Sequence, residues 1–201
     1  MLKMDSTFFR VVNKIFDVAA VSILWFLCSL PLFTAGAATT ALYDTVLKNI
    51  RGNRGYCYKG FFLCFKENFK NTVVPSIIFV ILTLISIGDV IILHNNIEEV
   101  PEFAGMQFIF IGFLGMIMTW AIWTFALTAR FENTWKVTMK NAAIMFFAHL
   151  PTTFIVIIIF TISAILFWDI RFSIAFVPVG AMFLNSLLLE RIFAKYIGKE
   201  N

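Results

Sequence analysis

The sequence predicts an all-α protein, a polytopic bundle of transmembrane helices whose first element is broken or re-entrant. Three observations carry that prediction. Hydrophobic residues fill 60% of 201 positions and charged ones only 14%, with a mean hydropathy of +0.88, whereas ordinary soluble domains run at roughly 45–50% and about 25%. The apolar residues also fall in long blocks, and roughly 18–20 such residues suffice to cross a hydrocarbon core about 30 Å thick. Finally, the first block is interrupted by Pro31, Gly36 and a threonine-rich patch.

A mixed start carrying Lys3, Arg10 and Lys14 leads into the first apolar segment, near 18–47. Further segments lie near 72–93, 103–129, 142–168 and 172–189, and no change of composition marks a second domain, so 1–201 reads as one membrane domain. Residues 77–92 and 154–165 are rich in β-branched side chains. A lone strand would leave its backbone groups unbonded in lipid, so helices are expected there. The strict alternation of an outer-membrane barrel is absent.

Lys and Arg near span ends stay on the cytoplasmic side. Residues 48–70 hold Lys48, Arg51, Arg54, Lys59, Lys66 and Lys70 against Glu67 alone. Residues 130–141 hold Arg130, Lys136 and Lys140, and the C-terminal tail holds Arg191, Lys195 and Lys199. These three segments are expected in the cytoplasm. The segment 94–104, with Glu98, Glu99 and Glu102, and the nearly neutral turn at Asp169 and Arg171 are expected opposite.

The first segment then has two readings. It crosses once, kinked at Pro31, with the N-terminus outside. Or it forms two half-length helices, 18–30 and 35–47, joined around Pro31–Thr34. The hairpin is favoured because it keeps Lys3, Arg10 and Lys14 inside. At about 1.5 Å per residue each half would reach the midplane without crossing. A basic start before an apolar run also resembles a cleaved leader, but Asp17 and Pro31 interrupt that pattern.

The net charge of +4 sits beside apolar spans, where membrane lipid and topology account for it better than nucleic acid does. Cys28, Cys57 and Cys64 show neither metal spacing nor a disulfide framework, and an odd count with Cys64 in a basic segment fits a reducing compartment. There is no embedded carboxylate pair, zinc-binding His-Glu-x-x-His, phosphate loop or nucleophile elbow. No catalytic, cofactor or metal residue is therefore assigned, and membrane enzyme is the weakest functional class.

The most distinctive stretch runs from Pro31 to Tyr43. Proline removes a donor, small residues admit a neighbouring backbone, and threonine hydroxyls satisfy freed carbonyls. Pro31, Thr34, Gly36, Thr39, Thr40 and Tyr43 are thus candidates for a helix break or polar site, whose new helix N-terminus would favour an anionic group. Asp17, Asp44, His149 and Asn185 are candidate polar contacts inside the bundle, since such groups are costly in lipid unless paired. Asp17 and Asp44 are expected to meet Lys or Arg at the cytoplasmic interface. His149 is expected to bond a carbonyl, and Asn185 and Glu190 to serve helix contact and anchoring. Phe65–Asn71 is echoed 70 positions later by Trp135–Asn141, each with two lysines on one helical face. The echo marks either two basic flanks, each suited to lying against headgroups, or a parallel duplication.

The run Leu24, Trp25, Phe26, Leu27, Cys28, Ser29, Leu30, Pro31 leading into Thr34–Tyr43 resembles the signature of the YesL family of bacterial integral membrane proteins. Arg51-Gly52, Phe61-Phe62, Phe65-Lys66, Asn68-Phe69-Lys70 and the region 141–151 are also similar. The resemblance implies a multi-pass protein of the bacterial plasma membrane with uncharacterised activity. By gene neighbourhood alone it implies an accessory role in carbohydrate uptake or utilisation, and no catalytic residue carries over. Two functions compete: an accessory factor partnering a membrane transport permease, or a small-solute transporter or channel in its own right, acting through self-association.

Overall fold

The computed structural model describes residues 7–52, 55–96, 100, 103–169 and 171–197. Lys3, Arg54, Glu98, Glu99, Glu102 and Lys199, which contribute to the charge pattern, lie outside the described residues, as do the side chains of Arg10, Trp168, Asp169 and Arg171. Among the described residues every regular element is helical and no strand occurs.

Helix α1 spans Thr7–Ser29. Its end is set by Pro31, which sits in an extended conformation before a single 3-10 turn, Leu32–Thr34. Breaking a helix orphans its last carbonyls, and here the Thr34 hydroxyl donates to Cys28 O at 2.5 Å and to Pro31 O at 2.6 Å. The chain then reverses. In one unbroken helix Trp25 and Thr39 would stand about 21 Å apart, but the Trp25 indole N–H donates to Thr39 Oγ1 at 3.2 Å. The first apolar segment is therefore two antiparallel helices. Its first arm has 23 residues, 18 of which, from Val12, are long and apolar enough to cross a membrane. Such an arm exceeds the half-length helix expected from 18–30.

Helix α2, Ala35–Thr45, is the centre of the molecule. Gly36, Ala37, Ala38, Thr40, Ala41, Leu42, Tyr43, Asp44 and Thr45 are all buried. Helices α1, α3, α4 and α7 enclose it. A helix buried on every side needs no apolar stripe, and small side chains let its neighbours approach closely. At Gly36 the approach is closest: its N–H donates to Ser76 Oγ at 3.0 Å, and an added methyl would collide with that oxygen and with the ring edge of Phe125. Beyond Thr45 the helix widens into a π turn, Val46–Arg51, where Gly52 N–H reaches Leu47 O.

Helix α3, Cys57–Asn95, is 39 residues long, so most of the basic segment 48–70 is helix and only residues 52–56 connect it to the π turn. Pro75 lies inside α3. It leaves a carbonyl without its usual donor, and the neighbouring hydroxyls of Thr72 and Ser76 back-bond to Asn68 O and Thr72 O. Helix α4, Phe103–Arg130, returns beside α3. Phe79 joins the two through edge-on contacts with Trp120 and Phe125.

The apolar stretch 142–168 falls on two helices, α5 (Trp135–Ala148) and α6 (Leu150–Asp169). They are divided at His149, whose φ of −122° and ψ of 48° leave the helical region. Pro151 sits in the first turn of α6, where its missing N–H costs little, and Thr153 Oγ1 bonds Phe146 O across the break. The lysine-bearing echo accordingly falls mid-helix in α3 and at a helix start in α5. A 3-10 turn, Arg171–Ala175, precedes helix α7, Val177–Ile197.

Helices α1, α3, α4, α6 and α7 each contain a stretch long and apolar enough to cross a membrane. The outer faces of α3, α4 and α6 carry Ile81, Leu84, Phe108, Ile109, Phe154 and Ile158, all more than half exposed. The chain exposes 12742 Å2, whereas a soluble monomer of this mass would expose about 9,600 Å2. The protein is a multi-pass membrane protein whose excess surface is suited to lipid.

Gly36→Val is expected to destabilise the bundle by about 1–3 kcal/mol through overpacking. Gly88→Ala is the control, because nothing stands within 4 Å of the added carbon. Thermal unfolding of the two variants in detergent checks this, and a G36V variant as stable as the parent would remove close approach as a constraint.

Candidate functional site

The candidate residues of the first segment divide by position. At the tip of the hairpin, Pro31, Thr34 and Gly36 are occupied structurally. Thr34 caps the broken end of α1, and the first amides of α2 are satisfied by Leu32 O and Ser76 Oγ. The α2 N-terminus, expected to face an anion, thus meets a neutral hydroxyl. Thr39 joins α2 to α1 through Trp25, while Thr40 is fully buried and its Oγ1 has no hydrogen-bond partner among the described residues.

The other end of α2 is different. Tyr43 Oη donates to Glu190 Oε1 at 2.9 Å, and Glu190 Oε2 meets Arg130 Nε at 3.5 Å. One carboxylate therefore holds α2, α4 and α7 together. Arg51, at the end of the π turn, donates to Ser186 O and Oγ at 3.3 and 3.1 Å. Asp44 is only 5% exposed, and a buried carboxylate needs a compensating charge. Lys48 supplies it at 2.7 Å, one turn along. The hydrogen bond to Asp44 holds the Lys48 ammonium above its ordinary pKa, so it stays protonated throughout the neutral range. A raised lysine value is stability present at lower pH and lost only as pH climbs through it.

Asp17 lies close enough to Cys57, at the start of α3, for its carboxylate to push the thiol pKa up alongside burial, while the Lys14 ammonium opposes it. His149 is away from this cluster. Its ring stacks over Trp123, and Nε2 stands 3.2 Å from Tyr196 Oη, so its partner is a phenol rather than the expected carbonyl. Asn185 is buried on α7 next to Ser186, with Oδ1 unpartnered among the described residues. The sequence suggests helix contact and anchoring for Glu190 without naming its partners, counts Arg130 only as a basic flank, and gives no signal for Ser76 or Tyr196. The one available signal for Glu190 was its charge on an otherwise apolar helix.

Between the ends of α2, α3 and α4 opens a polar cleft of about 730 Å3, within the roughly 300–1,000 Å3 typical of small-molecule sites. Asp44 and Lys48 form one wall, and Glu67, Asn68 and Asn71 of α3 form a second. Residues 128–134, including Arg130 and Glu132, close the third. Cys64 lies at the base, with its sulfur near Thr40 O and Asn68 Nδ2. Among the described residues no cluster of His, Cys, Asp and Glu is gathered tightly enough for a metal ion. The arrangement can bind and orient a polar molecule, or lock helices against one another.

Tyr43→Phe is expected to cost about 1.5–3 kcal/mol, the range for a hydrogen bond to a charged group. Combined with Glu190→Gln it should add little further, and strictly additive losses in a double-mutant unfolding cycle would show that the two side chains act separately.

No curated protein and no solved structure matches the chain. A family model does match, over residues 18–90, the part that runs from α1 through the buried α2 into α3. Its description is "Protein of unknown function, DUF624", and residues 18–90 thus match the DUF624/YesL family, an uncharacterised bacterial protein family.

Proposed function

We propose that this protein is a plasma-membrane accessory factor whose working face is the polar end of the bundle, turned to the cytoplasm, and that it serves a membrane transport permease in carbohydrate uptake. The observation that carries the reading is the gathering of separate basic segments at that end. Arg51 bonds α7, Arg130 pairs with Glu190, and Lys48 covers Asp44 beside an open cleft. Segments rich in Lys and Arg are retained inside, so the shared end takes the cytoplasmic side. Asp17 beside Cys57 supports placing the start of α1 there too, with α1 and α2 as a hairpin entering and leaving on one face.

The transporter reading would use the helix break as a solute site. The filled surroundings of α2 and the Ser76 cap on its first turn favour the accessory reading instead. In that reading the exposed apolar faces of α3, α4 and α6 contact lipid or the permease, and the cleft presents polar groups to the cell interior.

The orientation is checked by thiol labelling with a membrane-impermeant maleimide in a Cys28→Ser background. Lys136→Cys and Lys195→Cys are expected to react only after permeabilisation, and Gly105→Cys in intact cells; the reverse pattern would overturn the topology. The role is checked by affinity purification from the native membrane. A sugar permease is expected to accompany the tagged protein, whereas sugar uptake by proteoliposomes holding this chain alone would establish the transporter instead.

A further inference from the structure

Lys136 and Lys140, the cations of the Trp135–Asn141 echo, take no part in the polar cleft, and they share a helical face with a second hollow. Between α4 and α5 opens an apolar groove of about 230 Å3. From α4 it takes Phe113, Ile117 and Trp120, at the spacing of one helical face. From α5 it takes Ala143 and Phe147. The only N–H among the groove's side chains, that of Trp120, is spent on Met139 O at 3.3 Å. Phe113 and Phe147 are more than half exposed, so the groove is open along its outer side.

At 3.6 residues per turn, Lys136, Lys140, Ala143 and Phe147 fall within about 60° of one another around α5. The cationic stripe therefore runs straight into the apolar one. Helical side chains lean toward the helix start, so both lysines extend away from the groove, as snorkelling cations do toward headgroups. Both are exposed and form no ion pair among the described residues. Lys136 stands over the Trp135 ring, 5.4 Å from its centre, and Trp beside Lys is a pairing suited to the headgroup layer. Glu132, the nearest acidic residue along the chain, lines the polar cleft instead. The Trp120–Met139 bond marks the groove end nearer Lys140. From there to Phe113 along α4, and from Lys140 to Phe147 along α5, each path descends about 10 Å.

An occupant must be apolar along that descent and anionic at its top. A transmembrane helix, about 10–12 Å across with its side chains, would bridge so small a hollow without filling it. A single acyl chain is thin enough to enter, and a phospholipid carries its phosphate at the end where the lysines stand. We propose that the α4–α5 groove seats one anionic phospholipid of the surrounding bilayer, an acyl chain lying between Phe113 and Phe147 and the phosphate held by Lys136 and Lys140. The site goes beyond the accessory reading and needs only that the start of α5 stand at a membrane surface.

The test is native mass spectrometry of the full-length chain in neutral detergent, titrated with phosphatidylglycerol or phosphatidylcholine. One phosphatidylglycerol is expected to bind saturably and roughly tenfold or more tighter than phosphatidylcholine, since each basic side chain near an anionic lipid surface is worth about fivefold. Lys136→Gln combined with Lys140→Gln should erase that preference and leave phosphatidylcholine binding unchanged. Ala143→Trp fills the groove with both lysines intact and should weaken both lipids several-fold. Ile158→Trp, on the exposed face of α6, should weaken neither. Both lysines are exposed, so their variant decides the matter even where A143W does not fold. The proposal is overturned by equal binding of the two lipids, by a preference that survives loss of both lysines, or by A143W binding like the parent. Competition by glycerol phosphate as strong as by whole lipid would overturn it too, as would a dimer of this chain that A143W dissolves without added lipid. No permease is present in the titration, so its outcome is separate from whether one co-purifies.

Discussion

The structure depends on the close approach of α3 and α4 to a central helix of small residues. Between helices in lipid there is little hydrophobic drive, because acyl chains are as apolar as leucine, so association rests on packing and a few polar contacts. Gly36, Ala37, Ala38 and Ala41 supply the packing by presenting almost no side-chain bulk. Most hydroxyls do not act as glue. Thr119, Thr124, Thr128 and Thr161 bond back to carbonyls one turn earlier in their own helices. Of the polar links that do cross between helices, α2 makes Trp25–Thr39, Gly36–Ser76 and Tyr43–Glu190.

The two ends of α2 therefore differ in chemical character. Its start is closed by a neutral hydroxyl and by the aromatic ring of Phe125. Its finish is ringed by charge, and the π turn that follows sends Lys48 back toward Asp44 while Arg51 reaches α7. Wider helical turns are rare and often accompany functional sites. Here the turn lets two cations one short stretch apart serve two different partners, one at the cleft and one at a helix contact.

Much of this architecture is written in the sequence, but unevenly. Long apolar blocks disclose helices because lipid forbids other backbone arrangements, and the break at Pro31 is legible because proline and Thr34 together start and cap it. The central place of α2 is not legible. Small and hydroxylated residues lower hydropathy, so a helix buried in protein reads like an irregular stretch. The division at His149 is hidden because apolar residues continue on both sides and Pro151 is equally compatible with an unbroken span. Glu190 and Tyr43 are 147 positions apart, and nothing local to either residue announces the other. The cleft draws its walls from three separate elements, so its composition emerges only when the helices are assembled. Asp44 and Lys48 are the exception, since four-residue spacing on a helix brings opposite charges together.

The composition of α2 also dictates an order of biogenesis. During synthesis the N-terminal segments leave the ribosome first, so α2 emerges before α3, α4 or α7 exists to enclose it. With Asp44, several threonines and so little aliphatic bulk, it has scant affinity for acyl chains by itself. Helix α1 is apolar enough to enter lipid by itself, whereas α2 depends on its later companions for an enclosure. Helix α2 is then enclosed only after the helices that follow it are in place, and completion of the bundle hides it from view.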